Sequence, residues 1–329
     1  MSLSILKAGI LDTIQDQGRF GFRQFGINPG GAMDQYALQV ANALVGNPFE
    51  ETVIEIHFPA PELEFLADAV IAIAGADFTP FINNRKTDIL HPVAVRQGAR
   101  LRFEKSVMGT CCYLAVRSGF DLQPWLGSHS THIKAGAGGF KGRPLKKDDS
   151  IPLKKNINLS EFAGDNDFLQ FHWKAAPQSM DHLPENISVM RGPEWDWLTQ
   201  DAKKNFIHDE FIISSQSDRM GYRLHGNDLS SGVEEELISS AVSFGSIQLL
   251  PNGQLTILMA DHQTMGGYPR IAQVIAAHHS RLAQKKPKEK IHFQLTDNKS
   301  AEIIYLKQQE DLRLLQIACS LKLDEILYP

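Results

Sequence analysis

Ser246-Ile247-Gln248-Leu249-Leu250, then Pro251-Asn252-Gly253-Gln254, then Leu255-Thr256-Ile257-Leu258-Met259, is the stretch that decides the fold class. Two apolar runs of strand length flank an Asn-Gly, the dipeptide that tolerates the positive φ angles of a tight hairpin turn. A hairpin implies antiparallel β structure, and strand signals recur outward from it. Toward the C-terminus, Ile291-His292-Phe293-Gln294-Leu295 and Glu302-Ile303-Ile304-Tyr305-Leu306 read as strands. Toward the N-terminus, Thr52-Val53-Ile54-Glu55-Ile56-His57 alternates and is rich in β-branched residues. Ala69-Val70-Ile71-Ala72-Ile73-Ala74-Gly75 is a short apolar run closed by glycine, the pattern of a strand buried on both faces, and Tyr113-Leu114-Ala115-Val116-Arg117 is similar. Helical spacing is rarer. Asp34 can cap a helix whose Ala37, Val40, Ala41 and Leu44 share one face and which Gly46 and Pro48 stop. Pro193 opens a short turn through Trp195 and Leu198, and the stretch from Gln308 to Leu323 carries leucines at 312, 314, 315 and 321. Many short strands parted by Gly and Pro, with few helices, predict a mainly β protein with a few helices, of barrel type rather than a wound α/β sheet.

The chain has 329 residues, room for about two domains. A polar segment opens at Lys146-Lys147-Asp148-Asp149 and runs to Ala176-Pro177-Gln178 and Glu185, after which alternation resumes. The expected organisation is a β-rich lobe over 1–150, a polar linker over 151–185 and a second lobe over 186–329. A net charge of −5, from 33 basic and 38 acidic side chains, supplies no field for a phosphate backbone, so no nucleic-acid partner is expected. The longest apolar runs fall far short of the ~20 residues of a membrane span, and the first residues, Met1-Ser2-Leu3-Ser4-Ile5-Leu6-Lys7, lack an export signal. Three unpatterned cysteines, Cys111, Cys112 and Cys319, fit a reducing compartment, and the expected location is cytoplasmic.

Standard catalytic signatures are missing: there is no phosphate-binding Gly-x-x-x-x-Gly-Lys-Ser/Thr, no Gly-x-Ser-x-Gly and no His-Glu-x-x-His. His129 and His132 have no third ligand nearby, so no metal is expected. Four polar clusters stand out instead. Gln15-Asp16-Gln17-Gly18-Arg19 leads to Asn28-Pro29-Gly30-Gly31-Ala32-Met33-Asp34, where two glycines before a capped helix could expose backbone N–H groups. Leu126-Gly127-Ser128-His129-Ser130-Thr131-His132 runs on to Gly138-Gly139-Phe140-Lys141-Gly142-Arg143, offering hydroxyls and a guanidinium to a carboxylate, phosphate or carbamoyl group. Ser217-Asp218-Arg219-Met220-Gly221-Tyr222-Arg223-Leu224 sets one carboxylate beside two arginines, which suits bidentate capture of a carboxylate or a structural ion pair. Asp261-His262-Gln263-Thr264-Met265-Gly266-Gly267-Tyr268-Pro269 offers donors and acceptors on a backbone that a ligand can approach closely, or a plain hairpin turn.

Taken in order, these clusters resemble one family over most of the chain: the carboxyltransferase-domain proteins variously called KipA, allophanate hydrolase subunit 2 and the C subunit of 5-oxoprolinase. The matching stretches are Thr13-Ile14-Gln15-Asp16-Gln17-Gly18-Arg19, Gly30-Gly31-Ala32-Met33-Asp34, Ala41-Asn42-Ala43-Leu44-Val45-Gly46-Asn47, Leu126-Gly127-Ser128-His129-Ser130-Thr131, Ser217 to Leu224 and Gln263 to Pro269. Cys111, Ala60, Lys147-Asp148 and His278-His279-Ser280 depart from the residues usual in the family. The resemblance implies two β-rich lobes, the C-terminal one a cyclophilin-like barrel. It implies a hetero-oligomer with 5-oxoprolinase subunits A and B, of which the smaller, homologous one (the B-type) is the most direct partner. That complex opens the lactam 5-oxoproline to glutamate at the expense of ATP. The chain would be catalytic only with those partners, with ATP a requirement of the complex. Two alternatives accompany it: a carboxyltransferase subunit acting on a urea-like substrate with biotin, and a non-catalytic regulator of a partner protein. No Met-Lys-Met site for covalent biotin occurs here, so a biotin carrier would be another chain.

On the leading reading Asp218, Asp261 and Gln263 are the catalytic candidates, the carboxylates for orientation or acid–base work. Arg143, Arg219 and Arg223 are expected to meet the substrate's carboxylate or a phosphate, with Ser128, Ser130 and Thr131 beside them. Thr264, Gly266, Gly267 and Tyr268 are expected to recognise the amide. Gln15, Asp16, Arg19, Gly30, Gly31 and Asp34 are secondary candidates.

Overall fold

The computed structural model describes residues 1–157, 159, 167–176, 186–233 and 237–327. The chain is mostly β and divides into two compact units. The first takes residues 1–19, 34–178 and 309–329; the second takes 20–33 and 179–308. Most of the segment read as a linker, 151–185, therefore groups with the first unit. Its Ser150–Pro152 and Phe168–Gln170 are strands, and 158, 160–166 and 177–185 lie outside the described residues.

The first unit holds two six-stranded antiparallel sheets. One orders Ser150–Pro152, Ser2–Lys7, Glu62–Phe65, Arg100–Phe103, Pro80–Ile82 and Arg85–Lys86. The other orders Phe168–Gln170, Pro92–Val95, Ala69–Asp77, Met108–Val116, Val53–His57 and Thr13–Gln15. The core draws on both, with Leu3, Ile5, Leu63 and Phe65 from the first and Ile14, Ile54, Ile71 and Leu114 from the second. Strand Ala69–Asp77 is buried along nearly its whole length, as its unbroken apolar run requires: α1 (Gln35–Leu44) covers what would otherwise be a wet face. Asp34 caps α1 as expected, its side chain accepting from Ala37 N at 2.9 Å.

The second unit is built on a closed barrel of seven strands. Around it run Asn186–Arg191, Arg270–Val274, Ser246–Leu249, Leu255–Leu258, Gly221–His225, Phe211–Ile213 and Lys290–Leu295. The ring closes through a parallel pairing of its two ends, Ile187 opposite Phe293. The deciding hairpin is present, Ile247 opposite Ile257 and Leu249 opposite Leu255, with Gly253 at φ +81°. α2 (Gln200–His208), capped by Thr199, lays Phe206 flat on Phe293 with ring centroids 4.7 Å apart. After α3 (His279–Ala283), α4 spans Asn298–Leu327. The strand expected at 302–306 is therefore the second turn of a helix. Ile303-Ile304 favours strand locally, but Asp297 accepts from Ser300 N at 2.9 Å and starts a helix that the downstream periodicity carries on.

One buried carboxyl in the first unit carries a pH signature. Asp12 is 1% exposed; its Oδ2 accepts from Gly9 N at 2.6 Å, while its Oδ1 has no hydrogen-bond partner among the described residues. Burial pushes its pKa from 3.8 up to about 7. A carboxyl raised in the folded state contributes full stability below its unfolded value and loses it as pH rises through about 7. Asp12→Asn is expected to stabilise the protein by about 2 kcal/mol at pH 8, part of the gain being offset by the amide's own unmet hydrogen bonds. The gain should vanish at acid pH in chemical denaturation; equal effects at both pH values would refute the assignment.

Candidate functional site

The second cluster lies in the first unit and the third and fourth lie in the second; the first is divided, 15–19 and Asp34 in the first unit and 28–33 in the second. In the first unit the conspicuous hydroxyls belong to Asp16. Its carboxylate accepts from Ser128 Oγ at 2.7 Å, Ser130 Oγ at 2.5 Å, His129 N at 2.6 Å and Gly18 N at 2.8 Å. Despite burial, these bonds and His129 hold its pKa well below 3.8, and the same contact raises that of His129. Arg19 is 1% exposed, lies with its guanidinium carbon 4.7 Å from the Trp125 ring centroid and donates to Ser130 O. Thr131 Oγ1 donates to Ile14 O at 2.9 Å, and Gln15 Nε2 to Thr13 Oγ1 at 3.0 Å. Arg143 forms a two-pronged pair with Asp149, 2.7 Å on each prong. The glycine-rich loop packs directly on the 128–131 segment. A Cβ at Gly138 would stand 2.2 Å from Ser130 O, and one at Gly139 would stand 1.9 Å from Thr131 Oγ1. The glycines are needed there for close approach.

In the second unit Arg219 is 9% exposed and clasps Asp261, Nε to Oδ2 at 2.8 Å and Nη2 to Oδ1 at 3.2 Å. Its Nη2 also donates to Gly31 O at 2.6 Å. Gly31, at φ +92°, and Gly30, at φ +60°, lie in the 20–33 segment that groups with this unit. Arg23 of the same segment donates to Val242 O and to Thr264 O, the latter at 3.4 Å. Two arginines thus tie the 20–33 segment to the loop over 261–268.

Beside that brace lies a cleft of about 590 Å³ on the barrel wall. Asp218, Arg223, Gln263 and Tyr268 line it, so the third and fourth clusters, 40 or so residues apart along the chain (~150 Å if extended), share one concavity. Gln216 and Gln248 line it as well. Arg223 Nη1 donates to Gln216 Oε1 at 3.2 Å, and among the described residues most of its fork is unused. Asp218 Oδ1 accepts from Met220 N at 2.7 Å and Gly221 N at 3.2 Å, forming the turn that presents Arg223. A Cβ on Gly266 would stand 2.6 Å from Gln248 Nε2 and 3.4 Å from Gln263 Nε2, so its absence lets two carboxamides converge on one patch of backbone. Chemically, the cleft joins a guanidinium, a carboxylate and several carboxamides: a fit for a small molecule bearing a carboxylate and an amide.

Residues 25–295 match the model of the carboxyltransferase domain, subdomain A and B. The chain belongs to that family. Within it, the chain is 38% identical to the C subunit of 5-oxoprolinase from Escherichia coli over 88% of this chain and 90% of that protein. It is 34% identical to the Haemophilus influenzae protein of the same name over 96% and 97%. Among solved structures, the urea amidolyase of K. lactis superposes with a TM-score of 0.85 at 26% identity, covering 95% of this chain and 20% of that one. The chain therefore spans about a fifth of that larger enzyme.

For a member of the carboxyltransferase-domain family, two features were hidden from sequence reasoning. Gln248 was detectable in principle: a polar residue 2% exposed within Ile247-Gln248-Leu249 needs a reason to be there. Arg23 was not, because its partners are backbone carbonyls more than 200 positions away. Two of the departures from the usual family residues have structural roles. Cys111 Sγ lies 3.3 Å from Tyr113 Oη in the first unit's interior, and burial raises its thiol pKa. His278 Nδ1 accepts from Ser188 N at 2.9 Å, and burial lowers its pKa to about 4. Among the described residues no group of three or more His, Cys, Asp or Glu could hold a metal ion, and no helix is long and apolar enough to cross a membrane.

Proposed function

We propose that this chain is the C subunit of an ATP-dependent 5-oxoprolinase and that it binds the lactam substrate in the barrel-wall cleft. The observation that carries the reading is the 38% identity over 88% of the chain to a protein of that name; the cleft's chemistry supports it. Arg223 takes the substrate's carboxylate, and Gln263 with Gln248 takes the ring amide, whose C=O and N–H match a carboxamide's two functions. The Arg219–Asp261 pair positions the loop that carries Gln263. Lactams are stable amides. Transfer of the γ-phosphoryl group of ATP to the amide oxygen, with ADP leaving, activates the carbonyl carbon; one water adds there, the C–N bond breaks with a proton going to nitrogen, and the acyl phosphate that results is hydrolysed by a second water to the carboxylate and phosphate. Subunits A and B, acting in the cytoplasm, complete the machinery.

The test is reconstitution with subunits A and B, reading 5-oxoproline-dependent ATP hydrolysis. Turnover that proceeds equally without this chain rejects the proposal. Arg223→Ala should raise KM for 5-oxoproline by about tenfold or more while the complex still assembles. Turnover unaffected by that change would favour a non-catalytic regulator instead. The TM-score of 0.85 to urea amidolyase favours one second reading, carboxyl transfer to a urea-like substrate from biotin on another chain. The cleft's carboxamides could donate to a ureido carbonyl, and urea-dependent but not 5-oxoproline-dependent ATP hydrolysis would select that reading.

A further inference from the structure

A second cavity in the barrel unit, about 850 Å³, takes no part in the chemistry above. It lies within the usual size range of small-molecule sites. Arg191 and Arg270, from two neighbouring strands, line it together with Asp297 at the start of α4. Arg270 is held rigidly: Nε and Nη2 donate to Glu194 at 3.1 and 2.9 Å, and Nη1 donates to Ala241 O at 3.0 Å. That uses three of a guanidinium's five N–H groups and leaves two. Arg191 is exposed, with its guanidinium carbon 5.7 Å from the Trp195 ring centroid; among the described residues no hydrogen bond engages it. Asp297 accepts from Ser300 N at 2.9 Å on one oxygen and from Ser300 Oγ at 2.8 Å on the other, and a carboxylate offers about four acceptor sites.

Two guanidiniums with unused donors and one carboxylate with unused acceptors make a charge pattern complementary to two carboxylates and one ammonium. We propose that this cavity binds an acidic α-amino acid, Arg191 and Arg270 meeting its two carboxylates and Asp297 its ammonium. The choice of L-glutamate as probe rests on the proposed function, because glutamate is the product of lactam opening. A product site apart from the substrate cleft is a place for feedback on turnover.

Calorimetric titration of the full chain with L-glutamate tests it. Binding is expected, weakened about tenfold or more by Arg191→Ala, an exposed change that does not threaten the fold. Asp297→Asn, which keeps an α4 cap, should weaken L-glutamate but spare glutarate, which has both carboxylates and no ammonium. No binding at millimolar L-glutamate, equal binding by wild type and Arg191→Ala, or glutarate and glutamate falling together in Asp297→Asn overturns the inference. The two proposals fail separately. Turnover that needs this chain while glutamate does not bind removes only the second site. Arg191-dependent glutamate binding by a chain dispensable for turnover removes only the proposed reaction.

Discussion

Replacing Arg219 with methionine is expected to lower the stability of the second unit by about 2–4 kcal/mol, the cost of losing charge-assisted hydrogen bonds in a pair whose arginine is buried and whose carboxylate, on Asp261, is 25% exposed. Arg219 is 9% exposed, and its removal leaves Asp261 without its two-pronged partner and Gly31 O without a donor. Methionine keeps the aliphatic bulk, so a loss of this size measures the charge and the hydrogen bonds rather than a cavity. Urea denaturation followed by tryptophan fluorescence reads it, since Trp195 is buried in the same unit. Adding Asp261→Leu should restore part of the loss, because the uncompensated carboxylate disappears; a double-mutant cycle gives the coupling. A single-mutant loss below about 1 kcal/mol would mean the pair is no brace. The reconstituted assay should also show kcat/KM falling with the loop's misplacement, since Gln263 sits two residues from Asp261.

Asp16→Ala should cost the first unit a comparable amount, about 3–5 kcal/mol. Four donors converge on this carboxylate, two hydroxyls and two backbone N–H groups, and alanine offers none of them an acceptor. The effect should shrink in acid. A carboxyl whose folded pKa lies below 3.8 contributes stability above that value and loses it as pH falls through the folded pKa, so the wild type approaches the variant there. Denaturant midpoints at pH 7 and pH 3 check both statements. A pH-independent gap would mean that packing, not the carboxylate, holds the segment over 128–131.

Both variants bear on what the polar clusters are for. In the first unit, the hydroxyl-rich Ser128-His129-Ser130-Thr131 has the composition of an anion site, yet its hydroxyls are turned onto Asp16 and Ile14. A residue type states what bonds it can make; it does not say whether a partner from the same chain has already taken them. Arg143 makes the same point, its fork filled by Asp149 six residues on. Arg223, equally conspicuous in the sequence, keeps most of its fork because among the described residues only the Gln216 carbonyl oxygen reaches it.

From the amino-acid order alone came the β class, the Asn252-Gly253 hairpin, the Asp34 cap of α1, the buried strand over 69–75 and the family resemblance. The hairpin, the cap and the strand rest on residues within a few positions of one another, where spacing, turn chemistry and capping act directly. The helix beginning at Asn298 overrode a local Ile-Ile preference because helix formation is cooperative and the cap and downstream periodicity agree. Tertiary structure alone decided that residues 20–33 group with the barrel unit, that Arg219 serves Asp261 and Gly31, and that Arg223, Gln248 and Gln263 share one cleft. Those are contacts between distant segments, and which donor meets which acceptor is settled only when strand pairing and closure of the barrel bring them within about 3 Å.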